Sequence, residues 1–233
     1  MNVLAIVPAR CGSKGFPDKN IAELKGKTML ELAVKVGLGC EDVTDVYVST
    51  DSEKYEKIAL DSGAASLGMR PEDLAGDNAK SIDVVIDLVK KIDKKFDYLV
   101  LLQPTSPVRT PEDISSMLKL VKSEKADAAV SVCRFEEPHP FKMKSISEAG
   151  YVKPFIEGTT SEVPRQSLEK VYALNGAIYV TSIDTIMNEK TFLPERTIPY
   201  IMDENINIDS EEDFIFLEAM FLRNKVKVWG LND

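Results

Sequence analysis

The chain has 233 residues, of which 44% are hydrophobic, 29% charged and 7% aromatic; this fits one large domain with a buried core and excludes a disordered chain. Lys and Arg number 29 against 38 Asp and Glu, a formal charge of −9, so nucleic acid and anionic membranes are poor partners. An anionic small ligand would need cations concentrated locally.

In chain order, Val3 to Val7 reads as a fully buried strand that runs straight into a loop rich in Gly, Ser and Lys. Thr28 to Leu38 places Leu30, Ala33, Val34 and Leu38 at helical spacing, with Gly39 as a stop. Asp45 to Ser49 is a short β-branched strand, and Ser52 caps a helix with Tyr55, Ile58 and Ala59 on its inner face, ending at Gly63. A further helix starts at Ser81 with an apolar stripe of Val84, Val85, Leu88, Val89 and Ile92. Tyr98 to Leu102 is the next buried strand. Thr110-Pro111-Glu112-Asp113 supplies an N-cap, a proline at the first helical position and an acid two residues on, opening a helix to about Lys122. Ala128 to Val132 is again a strand.

Beyond Val132 the rhythm changes. Pro138, Pro140, Pro154 and Pro164 punctuate a segment of about 136–170 in which only short strands such as Tyr151 to Ile156 fit, and it reads as an inserted arm. The chain returns with a strand over Gly176 to Val180 and closes with a helix capped by Ser210 and Asp213, carrying Phe214, Leu217, Phe221 and Leu222. Strand-helix alternation of this kind implies a three-layer α/β sheet in one domain, with ligands at the carboxyl ends of the strands. The loops after Val7, Ser49 and Leu102 begin there. No apolar run reaches about 18 residues, so no membrane span is expected. Cys11, Cys40 and Cys133 lack paired spacing and the N-terminus lacks a basic leader, which together point to the cytoplasm. A single histidine, His139, removes zinc sites of the H-E-x-x-H type and Ser-His-Asp triads; set between two prolines, it reads as structural.

The strongest chemical signal is Pro8-Ala9-Arg10-Cys11-Gly12-Ser13-Lys14-Gly15-Phe16-Pro17-Asp18-Lys19-Asn20. Gly12 and Gly15 allow close backbone approach, so amide groups can face an anion. Arg10, Lys14 and Lys19 set three positive side chains against Asp18, the cation cluster that the acidic chain otherwise lacks. The spacing is neither a Walker A loop nor a dinucleotide fingerprint. A solvated basic turn is the bland alternative for any one Gly-Ser-Lys.

At this string the sequence resembles the acylneuraminate cytidylyltransferase family, the CMP-sialic acid synthetases and their relatives, whose signature is P-A-R-x-G-S-K-G-x-P-x-K-N. The resemblance continues through Arg70-Pro71-Glu72-Asp73-Leu74-Ala75, Leu102-Gln103-Pro104-Thr105-Ser106-Pro107-Val108-Arg109, Asn175-Gly176-Ala177-Ile178-Tyr179 and Asn207-Ile208-Asp209-Ser210-Glu211-Glu212-Asp213. Kdo cytidylyltransferases would instead show Ser-Thr-Arg at Ser13-Lys14-Gly15. The resemblance implies a Rossmann-like nucleotide-diphospho-sugar transferase fold and transfer of CMP from CTP to the anomeric hydroxyl of a 2-keto-3-deoxy sugar acid, with Mg²⁺ (or Mn²⁺) as cofactor. It implies that Arg10, Gly12, Ser13, Lys14 and Lys19 hold phosphates and that Asn20, Arg70 and Ser81 meet the cytidine. Arg10, Lys19 and Asp209 would carry catalysis, with Asp209 and Asn207 at the metal. Gln103, Asn175, Tyr179 and Phe192 would line the sugar pocket, although the two aromatics also read as ordinary core residues. Lys142 and Arg165 of the arm would reach the sugar carboxylate of a neighbouring subunit, making a homodimer.

Three departures from the family pattern stand out. Cys11 replaces a common Gly, Ala173-Leu174 replaces Arg-x before Asn175, and Asn207 takes the first position of an Asp-x-Asp pair. The sugar stays open among N-acylneuraminate, legionaminic acid and KDN, and another nucleotide or a non-catalytic nucleotide-sugar binding protein are the remaining alternatives.

Overall fold

In β1 (Val3–Pro8) successive side chains go to opposite faces of a sheet, and both faces are apolar. Val3, Ala5 and Val7 pack into one core cluster and Leu4 and Ile6 into another, so helices must cover the sheet on both sides. The computed structural model describes residues 1–76, 78–135, 137–203 and 206–231, without the Arg165 side chain. After β1 come a small hairpin, β2 (Glu23–Leu24) with β3 (Lys27–Thr28), then α1 (Met29–Gly39), β4 (Asp45–Ser49), α2 (Glu53–Asp61) and α3 (Ser81–Lys91). β5 (Tyr98–Leu101), α4 (Pro111–Ser123) and β6 (Ala128–Phe135) follow. A second hairpin, β7 (Lys144–Ile146) with β8 (Val152–Pro154), precedes β9 (Val171–Ser182), α5 (Ile183–Glu189), β10 (Thr197–Met202) and α6 (Glu211–Leu222).

The central sheet has the order β10-β6-β9-β5-β1-β4. β1 runs parallel to β4 and β5, and β10 parallel to β6, whereas β9 is antiparallel to both of its neighbours. Leu30, Val34, Tyr55, Ala59, Ile114 and Met117 bring α1, α2 and α4 onto one face. Val85, Leu88 and Ile186 bring α3 and α5 onto the other. This is the three-layer α/β arrangement read from the sequence. Leu24, Met29, Val108, Ile208, Phe214 and Leu217 form a third cluster that docks α6 beside the first hairpin.

Sharp starts come from reciprocal caps. Thr28 with Glu31, Thr110 with Asp113 and Ser210 with Asp213 each form a complete capping box at the start of α1, α4 and α6.

Several elements differ from expectation, each for a physical reason. The return strand is not Gly176 to Val180 but the whole of β9, because the arm lets the chain turn back on β6 and pair antiparallel with it. Hairpin β2–β3, α5 and β10 were not expected. The first two are too short for periodicity to register, and β10 carries Pro199, which only an edge strand tolerates. Within the arm, Tyr151 to Ile156 shortens to β8, paired with β7; residue 136, the expected start of the arm, lies outside the described residues.

Gly39 is not a stop but the last residue of α1, and its role is steric. A Cβ there would lie 2.5 Å from Cη2 of Trp229 and 3.1 Å from Pro111. Gly39→Ala should therefore overpack this contact and cost about 1–3 kcal/mol. Thermal unfolding should show a midpoint several degrees lower, with altered emission from Trp229, the single tryptophan. An unchanged midpoint and spectrum would refute the contact.

Candidate active site

The loop after β1 is built by anchors from its neighbours. The Ala9 amide donates to the Ser49 carbonyl at 2.9 Å, and the Cys11 amide donates to Oδ1 of Asp51 at 2.8 Å. Asn20, buried, donates from Nδ2 to the Arg10 carbonyl at 2.9 Å. At the far end Asp18 sits at φ 57° and accepts a 2.7 Å hydrogen bond from the buried Tyr55 hydroxyl. Burial and then Asp18 push the Tyr55 phenol pKa up, so it stays a donor. The Cys11 thiol lies 3.5 Å from Oδ2 of Asp51, and burial and that carboxylate raise its pKa.

The two loop glycines act differently. Gly12 takes φ +76° with open space around it, a conformation that L side chains rarely adopt. At Gly15 a Cβ would lie 2.7 Å from the Asp209 carbonyl oxygen, so the absent side chain lets the loop pass over the chain entering α6.

The side chain of Lys19 is only 17% exposed, because Nζ donates to the Ile208 carbonyl at 2.9 Å and to Oδ1 of Asp209 at 2.8 Å. Oδ2 of Asp209 accepts from Nδ2 of Asn207 at 2.8 Å, and Oδ1 of Asn207 accepts from the Ser106 hydroxyl at 2.9 Å. Asp213, not Asp209, caps α6: it accepts from the amides of Asp209 and Ser210 and from the Ser210 hydroxyl. Those bonds hold its pKa below the usual carboxylate range. The Asp209 carboxylate is thus spared for the cleft.

An open cleft of about 480 Å³ lies at the carboxyl edge of β1 and β5. Arg10, Ser13, Lys14, Lys19, Asn20, Arg70, Ser81, Gln103, Asn207 and Asp209, all singled out from sequence, line it together with Pro104, Thr105 and Leu74. Arg70 is steered by Ser49, to whose hydroxyl Nε donates at 3.1 Å and to whose carbonyl Nη2 also donates; burial pulls its pKa below the usual value. Ser81 is the first residue of α3, whose N-cap Lys80 makes no side-chain cap, so the positive end of that helix dipole faces the cleft.

Other expected residues lie elsewhere. Asn175 is buried in the sheet, where Oδ1 accepts from the Ser131 hydroxyl at 2.6 Å and from the Ala177 amide at 3.1 Å. Its amide is spent on the irregularity of the β6–β9 register between Val130 and Val132. Tyr179 and Phe192 pack on each other with ring centroids 5.7 Å apart, against the core face under α3 and α5. Gly12 does not line the cleft. Lys142 lines a separate small pocket with Arg134, His139 and Lys170, and the Arg165 side chain lies outside the described residues. His139 is buried between the Phe141 amide and the Glu169 carbonyl, a structural setting.

Sequence reasoning passed over Asp51, Ser106 and the steric role of Gly176. A Cβ on Gly176 would lie 2.8 Å from Oε1 of Gln103 and 2.9 Å from Oγ of Ser106. Only the position of Asp51 just beyond a strand end signalled it. Ser106 inside Pro104-Thr105-Ser106-Pro107 looks like plain loop.

The arrangement can hold a polyanion: Arg10, Lys14, Lys19 and Arg70 all line this cleft in a chain whose net charge is −9. Among the described residues no three His, Cys, Asp or Glu side chains are grouped to hold a metal by themselves, so a cation here would depend on Asp209 and on ligand oxygens.

The family described as cytidylyltransferase matches residues 4–227. An N-acylneuraminate cytidylyltransferase of Streptococcus agalactiae serotype V is 36% identical over 219 residues, covering 92% of this chain and 52% of that protein; the chain thus spans about half the length of this relative. A CMP-N,N'-diacetyllegionaminic acid synthase of Legionella pneumophila is 35% identical over 237 residues, covering 97% and 98%. The CTP complex of a CMP:2-keto-3-deoxy-manno-octonic acid synthetase shares the fold, with a TM-score of 0.72 at 18% identity over 96% of this chain and 100% of that one. Anchored loop, cleft and matched residues lie on one continuous stretch of sequence, and the protein belongs to the cytidylyltransferase family.

Proposed function

We propose that the protein couples CTP to the anomeric hydroxyl of a 2-keto-3-deoxy sugar acid of the N-acylneuraminate type, giving a CMP-sugar and pyrophosphate. The observation that carries this reading is the convergence of Arg10, Lys14, Lys19 and Arg70 on one cleft of an acidic chain. The names of the streptococcal and Legionella relatives supply the substrate class. Because the Legionella relative matches over nearly its whole length, N,N'-diacetyllegionaminate stands beside N-acetylneuraminate as a substrate.

In the reaction the anomeric hydroxyl loses its proton to water and its oxygen bonds to the α-phosphorus, while the bond to the bridging oxygen breaks and pyrophosphate leaves. The protein must align two anions and screen the charge between them. Arg10, Ser13 and Lys19 would hold the phosphates, Arg70, Asn20 and Ser81 the cytidine, and Gln103 the sugar. Mg²⁺ fits the donor set, since Asp209 is 73% exposed at the cleft and such a cation takes one or two carboxylates, phosphate oxygens and waters. When bound, it would neutralise phosphate charge.

We also propose a homodimer. Hairpin β7–β8 leaves Ile146, Tyr151, Val152 and Phe155 between 66% and 76% exposed, and a two-stranded hairpin is marginal on its own. A second copy would cover it and bring Lys142 and Arg165 to the neighbouring cleft. The three free cysteines favour a cytoplasmic setting. Among the described residues no helix is long and apolar enough to cross a membrane.

The test is pyrophosphate release from CTP and Mg²⁺ with N-acetylneuraminate, N,N'-diacetyllegionaminate or KDN. Release that requires one of these acids is expected; none with any acid would overturn the reading. Lys19→Ala should lower kcat/KM by roughly 10²-fold or more through lost phosphate stabilisation. A melting curve on the same variant registers the lost tie to Ile208, and full turnover would contradict the role. Arg165→Ala and Asp209→Ala dimers should each be inactive yet regain partial activity when their subunits exchange. If exchange is demonstrated without recovery, the arm serves its own chain.

A further inference from the structure

Asn207 stands where the resembled family pattern has a carboxylate, and its two amide ends are already committed. Oδ1 accepts from the Ser106 hydroxyl and Nδ2 donates to Oδ2 of Asp209. This orientation is forced by chemistry. A carboxylate only accepts, so turning the amide over would set two acceptors 2.8 Å apart. The hydroxyl could serve either end of the amide; the carboxylate can serve one.

Resting on the reading of the cleft as a CTP site, we propose that Asn207 is a positioning residue. It fixes the Asp209 carboxylate toward the phosphate loop through a Ser106–Asn207–Asp209–Lys19 relay and is not itself a ligand of the cation. Each link is held from behind. Ser106 is buried, its amide donates to the Gln103 carbonyl at 3.2 Å, and the Ile208 amide donates to the Thr105 carbonyl at 2.8 Å. Gly176 leaves the space in which the Ser106 hydroxyl sits. Asp209, by contrast, is exposed and would swing freely without a hold on each oxygen. Lys19 takes Oδ1 and Asn207 takes Oδ2. A neutral amide does this without setting a second negative charge beside the first. The relay therefore joins the loop that carries Gln103 to Lys19, so a disturbance at the sugar side reaches the phosphate side.

The test compares Ser106→Ala, Asn207→Ala and the double variant with the wild type. In the metal-free, ligand-free protein the Asn207 side-chain amide protons should exchange slowly by NMR, and faster in Ser106→Ala. In turnover each single variant should lose about 10- to 100-fold in kcat, as losses of orienting partners do. KM for CTP should stay within about twofold in each, because the carboxylate is misdirected while the phosphate cations remain. The double variant should be no worse than Asn207→Ala, because one relay is broken only once. Half-saturating Mg²⁺ should rise or hold in Ser106→Ala. If it falls, the released Asn207 oxygen has become a ligand and the proposal is overturned. Additive losses or a fast-exchanging amide in the wild type overturn it equally. Asn207 is only partly buried, so Asn207→Ala keeps the test sound if Ser106→Ala fails to fold. Absence of turnover in the wild type would sink the CTP reading alone, because the exchange measurement needs no substrate.

Discussion

The ammonium of Lys19 ties together two parts of the chain that lie 189 residues apart. It reaches the Ile208 carbonyl and the Asp209 carboxylate, closing the loop after β1 onto the start of α6. The geometry of the cleft depends on this closure. Gly15 must lack a side chain because the loop then runs against the Asp209 carbonyl. The Ser210–Asp213 capping box fixes where α6 begins, and so where the Asp209 carboxylate emerges. In a protein with nine excess negative charges, one carboxylate held beside a lysine leaves the cleft cationic overall. That balance is what an anionic ligand and its counter-cation both need.

Much of the frame was legible in the sequence because its signals are local and repeated. Buried strands such as Tyr98–Leu101 are continuous apolar runs, and Thr110-Pro111-Glu112-Asp113 announces a helix start residue by residue. Elements whose stability comes from neighbours were not legible. β10 alternates partly exposed and exposed residues because it lies at the edge, and the antiparallel course of β9 follows from pairing with β6. The loop cations were legible as a cluster within one string. Their anchors were not: Asp51 and Ser106 meet Cys11 and Asn207 only after the chain folds, at separations of 40 and 101 residues.

The same distinction explains where the expected site divides. Residues at strand ends and helix starts converge on the cleft, because a parallel sheet brings such ends together. Asn175, Tyr179 and Phe192 come from β9 and the segment after α5, whose side chains serve the sheet and its lower face within one chain. Within the arm, the hairpin instead leaves Ile146, Tyr151, Val152 and Phe155 exposed. Two of the departures also become intelligible. The thiol of Cys11 lies 3.5 Å from Oδ2 of Asp51, and Asn207 trades a charge for a donor.

The most direct measurement of the central claim is a crystal structure of the protein grown with CTP. The triphosphate is expected against Arg10, Ser13 and Lys19, with the cytidine between Arg70 and Ser81 and the carboxylate of Asp209 turned to the phosphate side. A nucleotide bound instead in the pocket beside Arg134 and Lys170, or a triphosphate that does not touch the loop after β1, would contradict it.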